Sequence, residues 1–172
     1  MHKFVVIVAS FLLFGLLHAD DQPTDGKIKS TRGKCTATFP AKPKLESEKT
    51  SDMYVLGENN DKHGYVLHIG SVKQPVDLNN EESIKKAMDV MYLQLKSSLG
   101  TKASKMMKGT FGADKLPTRY YEFDLSDGVY WTRVVLTKDC IISITVSGPK
   151  EWAQGEKAQG FLKSLKFETA KK

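Results

Sequence analysis

Cysteine and histidine are scarce in this chain, and that scarcity narrows its chemistry. Its 172 residues include two cysteines, Cys35 and Cys140, and four histidines. His2 and His18 fall in the first nineteen residues, leaving His63 and His68. Their odd spacing puts them on opposite faces of a strand, so no metal site shared between them is expected. Paired-cysteine zinc spacings, a His-Glu-x-x-His helix, a phosphate-cradling glycine loop and a Gly-x-Ser-x-Gly elbow are all missing. Ser83-Ile84-Lys85-Lys86 matches the Ser-x-x-Lys spacing of penicillin-binding enzymes. Its Ser-Asp-Asn and Lys-Thr-Gly companions are absent, and Ser83 falls in the first turn of a capped helix, so the match is read as chance. No catalytic residue, metal or cofactor is assigned.

Long apolar runs are also missing, with one exception. His2 and Lys3 give a basic start, Phe4 to Leu17 is almost wholly apolar, and Ala19 precedes Asp20-Asp21-Gln22-Pro23. This pattern reads as a cleaved export signal over residues 1–19, because the run is shorter than the roughly 18–20 apolar residues that span a bilayer. A secreted or periplasmic protein without stable membrane insertion is expected. Residues 20–34 are polar, with Pro23, Gly26 and Gly33, and read as a flexible tail. Residues 35–168 then form one domain, and 169–172 a disordered end. The formal charge of +6 comes from lysines spread along the chain. A solvated surface explains them better than a nucleic-acid site, so no nucleic-acid partner is expected.

In an oxidising compartment the two cysteines suggest a disulfide between Cys35 and Cys140. It would close a loop of roughly 100 residues, for which chain entropy gives about 4.7 kcal/mol. Two buried thiols acting as packing groups are the other reading.

Ordered structure is expected to begin at Cys35 to Phe39, where Cys35, Ala37 and Phe39 alternate with threonines. Pro40 and Pro43 end this strand and lead into a charged loop. Strands near 53–58 and 64–72 flank Asn59-Asn60-Asp61-Lys62, a turn of hairpin length. A helix follows, opened by Asn79 with Glu82 three residues on and stopped at Gly100. Its apolar stripe is Ile84, Ala87, Met88, Met91, Leu95 and Leu99.

Four strands come next, near 105–111, 119–125, 130–136 and 140–146. Asp127-Gly128 suits a two-residue type I′ turn, which would set Glu122 opposite Arg133. Through the Lys138-Asp139 turn, Leu136 comes opposite Ile141. Both faces of the resulting sheet carry large apolar groups, so each needs a cover. A second helix from Pro149, with Ala158, Phe161, Leu162 and Leu165 on its stripe, supplies one. The expected fold is α+β: an antiparallel sheet of six to seven strands in a three-layer α/β/α sandwich, in the order strands, helix, four strands, helix.

Three segments carry a resemblance: Phe39-Pro40-Ala41-Lys42-Pro43, Tyr130-Trp131-Thr132-Arg133-Val134-Val135, and Ile144-Thr145-Val146-Ser147-Gly148-Pro149 leading to Phe161-Leu162-Lys163-Ser164-Leu165-Lys166-Phe167. With the element order, they resemble the PsbP-like fold, which also serves small Ran-binding import factors and DcrB-type envelope proteins. The resemblance implies a small binding or accessory domain that contacts a larger partner. The oxygen-evolving and Ran-binding roles are not carried over, because no residue of either functional surface has a match here.

One polar and aromatic cluster stands out: Glu122, Asp124, Trp131 and Arg133 on a shared sheet face. A cross-strand ion pair between Glu122 and Arg133 accounts for it structurally, at about 0.2–1 kcal/mol. A pocket floor is the sharper reading, since an Arg beside a Trp can grip a carboxylate or stack a ring. The functional expectation is therefore a monomeric, non-enzymatic accessory or protein-interaction domain with an envelope or extracellular protein partner. The alternative is a carrier of a small apolar or amphipathic ligand between sheet and helix. An acid and base pair among Glu122, Asp124 and Arg133 is the weakest reading.

Overall fold

The structure, a computed structural model, describes residues 26–168. The expected signal segment, residues 20–25 of the expected tail and the end at 169–172 lie outside the described residues. Over the described residues the fold is α+β, with two antiparallel sheets and three helices.

A small sheet in the order β1-β2-β10 joins β1 (Lys27–Ser30), β2 (Cys35–Thr38) and β10 (Lys166–Phe167). The large sheet runs β3-β4-β5-β9-β8-β7-β6. Its members are β3 (Lys44–Ser47), β4 (Ser51–Glu58), β5 (His63–Ser71), β6 (Lys105–Phe111), β7 (Leu116–Leu125), β8 (Gly128–Leu136) and β9 (Cys140–Gly148). The helices are α1 (Glu81–Leu99), α2 (Lys150–Gln154) and α3 (Glu156–Lys163).

The tail expected over 20–34 is ordered from Gly26 onward. Lys27 to Ser30 alternate outward and inward, with Ile28 and Ser30 buried. One apolar residue is too little signal for a strand, but pairing of Ile28 with Ala37 and Ser30 with Cys35 supplies the missing stabilisation. Arg32 anchors the turn after β1 by donating from Nε to Asp52 Oδ2 of β4 at 2.7 Å. In the expected charged loop, β3 is an edge strand with Lys44 and Glu46 outward and Leu45 opposite Tyr54.

Helix α1 is capped by Asn80 rather than Asn79. Asn80 Oδ1 accepts from the amides of Glu82 and Ser83 at 3.0 and 3.1 Å, while the Asn79 amide donates to Asp77. Gly100 closes the helix with φ +66°, a conformation that costs glycine little. The turn after β4 places Asn59, Asn60 and Asp61 at positive φ, where Asn and Asp are tolerated. The helix expected after Pro149 is two segments, because Gly155 is extended and breaks it.

The β7–β8 turn also departs from expectation. Leu125 pairs with Gly128, so Ser126 and Asp127 make the turn, and neither has positive φ. Glu122 therefore faces Trp131, and Arg133 faces Tyr120. The slip is two residues, so every side chain keeps its face. The next hairpin matches expectation, with Leu136 opposite Ile141.

Two apolar clusters result. Val135, Ile142, Ile144 and Val146 join Phe161 and Leu162 of α3 and Ala37 of the small sheet. Tyr121, Phe123, Val134 and Leu136 join Met88 and Leu95 of α1. Val134 and Val135 are neighbours that go to different clusters, as the pleat of a strand requires.

The disulfide expected between Cys35 and Cys140 is not formed; both are free, buried thiols. Each fills a packing position in the first cluster, and Cys140 Sγ donates to the Arg32 carbonyl at 3.5 Å. Burial, with Cys140 nearby, pushes the Cys35 thiol up to about 12, so thiolate is rare at neutral pH. Neither cysteine of the folded protein is therefore expected to react with iodoacetamide at neutral pH, while both react in concentrated urea. Fast labelling of the folded chain would contradict this packing, and so would an absence of thiols in urea, which would mean the two are bonded.

Candidate functional site

Five elements converge on a cleft of about 480 Å³ beside the large sheet. Its floor is Tyr120 and Glu122 of β7 with Trp131 and Arg133 of β8, and Met107 of β6 lies to one side. Its wall is Gln154 at the end of α2 with Gln159, Leu162 and Lys163 of α3. Alternation on β7 and β8 sends the four floor residues the same way. The break at Gly155 lets α2 and α3 each present a glutamine to the cleft.

Glu122, Trp131 and Arg133 of the expected cluster meet here. Asp124 does not: it is exposed opposite Val129 near the hairpin end and lines no part of the cleft. The expected Glu122–Arg133 pair is replaced by an ion pair of 3.2 Å between Glu122 and Lys105, which face each other across β6 and β7. The two-residue shift of the hairpin is the reason, since it moves Arg133 past Glu122. With Asp124 outside and Glu122 held by Lys105, these carboxylates share no site as an acid and base.

Arg133 is the most informative group. Its Nη1 donates to the Leu162 carbonyl at 3.2 Å, and its guanidinium lies 5.4 Å from the Phe111 ring centroid. Among the described residues no carboxylate pairs with it. Burial lowers its pKa, with Tyr120 acting in the opposite sense, but an arginine remains a cation in a protein. Opposite it, the Tyr120 hydroxyl is pushed up to about 12, by burial first and then by Glu122, which keeps it a neutral phenol. Gln159 is held by donating from Nε2 to the Ala153 carbonyl at 2.8 Å. Lys163 is exposed at the rim.

The two histidines lie apart from this site. His63 stacks on Trp152, with centroids 4.4 Å apart. His68 of β5 faces Met53 and Ser143. Burial lowers the His68 pKa, and the carboxylates of Asp52 and Glu48 pull it partly back. The unfolded chain therefore binds a proton here that the native state resists, so stability falls as pH drops through the unfolded imidazole value of about 6.5. The urea midpoint of the parent is expected to fall more between about pH 7.5 and 5.5 than that of His68→Gln. Equal falls would contradict the assignment.

Sequence reasoning missed Tyr120, Met107, Gln154, Gln159, Leu162 and Lys163 as site residues. Tyr120 shares the parity of Glu122 and was within reach of the strand pattern. The others depend on how β6, α2 and α3 pack, which no local pattern encodes. No protein-family model matches the chain, and a search of curated proteins finds none similar to it. No helix among the described residues is long and apolar enough to cross a membrane.

Proposed function

We propose that this chain is an exported, non-enzymatic binding domain that holds a small amphipathic ligand in the cleft between the large sheet and α2–α3. One observation carries the reading: a half-buried Arg133, without a carboxylate partner among the described residues, lines a cleft whose other walls include Trp131, Tyr120 and Leu162. The cleft is open to solvent on one side and mixes the apolar surfaces of Met107, Trp131 and Leu162 with Arg133, Glu122 and two glutamines, a lining suited to an amphipathic rather than a wholly apolar ligand.

The reading extends to architecture and address. The separate clusters with α1 and with α3 support a three-layer α/β/α sandwich, the layering that the PsbP-like resemblance implies. The basic start and apolar run support export and cleavage near Ala19. An accessory role in contact with an envelope or extracellular protein fits the edge strand β6, where Met106 and Met107 are 50% and 45% exposed.

Native mass spectrometry of the protein, isolated gently from its own host, tests the function. An added small mass that disappears on denaturation is the expected result. A bare chain from every preparation would overturn the carrier reading, and an added protein chain would put the accessory role first.

A further inference from the structure

The ligand's polar end follows from the groups that line the cleft, an inference that rests on reading the cleft as a ligand site. We infer that the ligand is an organic monocarboxylate with an apolar body, its carboxylate gripped by the Arg133 guanidinium and its body lying against Trp131 and Leu162.

Three observations select this class. A guanidinium presents a planar fork that matches two carboxylate oxygens, and Arg133 commits Nη1 to the Leu162 carbonyl while no described carboxylate takes the rest. Stacking near Phe111 and the bond to Leu162 fix the group in place before a ligand arrives, which lowers the ordering cost of binding. Glu122 shares the cleft but is taken by Lys105, so it does not compete with an incoming carboxylate for the Arg133 fork. Lys163 at the rim adds long-range attraction for an anion. The neutral Tyr120 hydroxyl, opposite Arg133, is a further donor on the same floor.

Isothermal titration of the mature chain with decanoate, decanamide and decyl phosphate tests the class. Decanoate is expected to bind at least about tenfold more tightly than decanamide, a gap of roughly 1.4 kcal/mol, and more tightly than decyl phosphate. In Arg133→Gln the gap between acid and amide should largely close, while Arg133→Lys, which keeps the charge without the fork, should leave part of it. Lys163→Gln should reduce it less than Arg133→Gln. If Arg133→Gln fails to fold, the Arg133→Lys and parent titrations decide.

Equal affinity of the parent for acid and amide would overturn the carboxylate assignment and leave the cleft as a site for neutral amphiphiles. Tighter binding of decyl phosphate would overturn it in favour of phosphate. A gap unchanged in a folded Arg133→Gln would place the anion elsewhere and overturn the role of Arg133. No binding of any of the three would overturn both this inference and the reading of the cleft.

Discussion

Phe161→Ala is expected to lower the free energy of unfolding by about 3–5 kcal/mol, which is a large part of the roughly 5–15 kcal/mol that holds a domain of this size. Phe161 is 2% exposed, lies 4.5 Å from the ring of Phe39 and 5.3 Å edge-on from that of Tyr65, centroid to centroid, and so joins α3 to both sheets. Its loss leaves a cavity that the two remaining rings cannot fill without leaving their rotamers. Because Leu162 and Gln159 of the cleft ride on the same short helix, the variant should also weaken ligand binding. Urea denaturation with the slope held common to both proteins measures the effect. A loss under about 1 kcal/mol would mean that α3 is not anchored through this residue.

Met88→Ala should cost about 2–5 kcal/mol on the opposite cluster. Met88 is 1% exposed and packs with Tyr121, Phe123 and Val134, while the Tyr121 hydroxyl donates to the Met88 carbonyl at 3.5 Å. A methionine can be replaced by neighbours more easily than a branched side chain, so the lower half of that range is the expectation. Its importance lies in the comparison with Phe161→Ala. If both variants lose several kcal/mol and the double mutant loses nearly the sum, the two faces of the large sheet are covered independently. A Met88→Ala protein as stable as its parent would leave α1 a peripheral helix.

The parts of the fold legible in the sequence were those with strong local periodicity. The stripe from Ile84 to Leu99 joins one cluster in full, and Ala158, Phe161, Leu162 and Leu165 are all buried. Gly100 stops α1 as its chemistry implies, and β6 runs over Lys105–Phe111 as expected. The elements that escaped were short and edge-placed: β1, β3 and β10 have four, four and two residues. Such strands exist because a neighbour pairs with them, and that neighbour is remote in sequence. Phe167, for example, pairs with Cys35.

The site was legible in part for a related reason. Parity along β7 and β8 depends only on each strand, and it put Glu122, Trp131 and Arg133 on one face. Register depends on the turn, and there Asp127-Gly128 misled: Gly128 already pairs with Leu125. The two-residue shift left the shared face intact and exchanged the partners. That exchange matters for function, because it gives Glu122 to Lys105 and leaves Arg133 without a carboxylate among the described residues. The arginine that the sequence reading paired with Glu122 is the group on which the proposed function rests.

The most direct test of the account is to map decanoate on the folded, isotope-labelled protein by amide and indole chemical shifts. The expected result is a saturating set of changes at Tyr120, Glu122, Trp131 with its indole N–H, Arg133, Gln159 and Leu162, with little change at α1. Saturable changes centred on α1 or on the small sheet, or no changes under conditions where the protein is folded, would contradict the cleft as the ligand site.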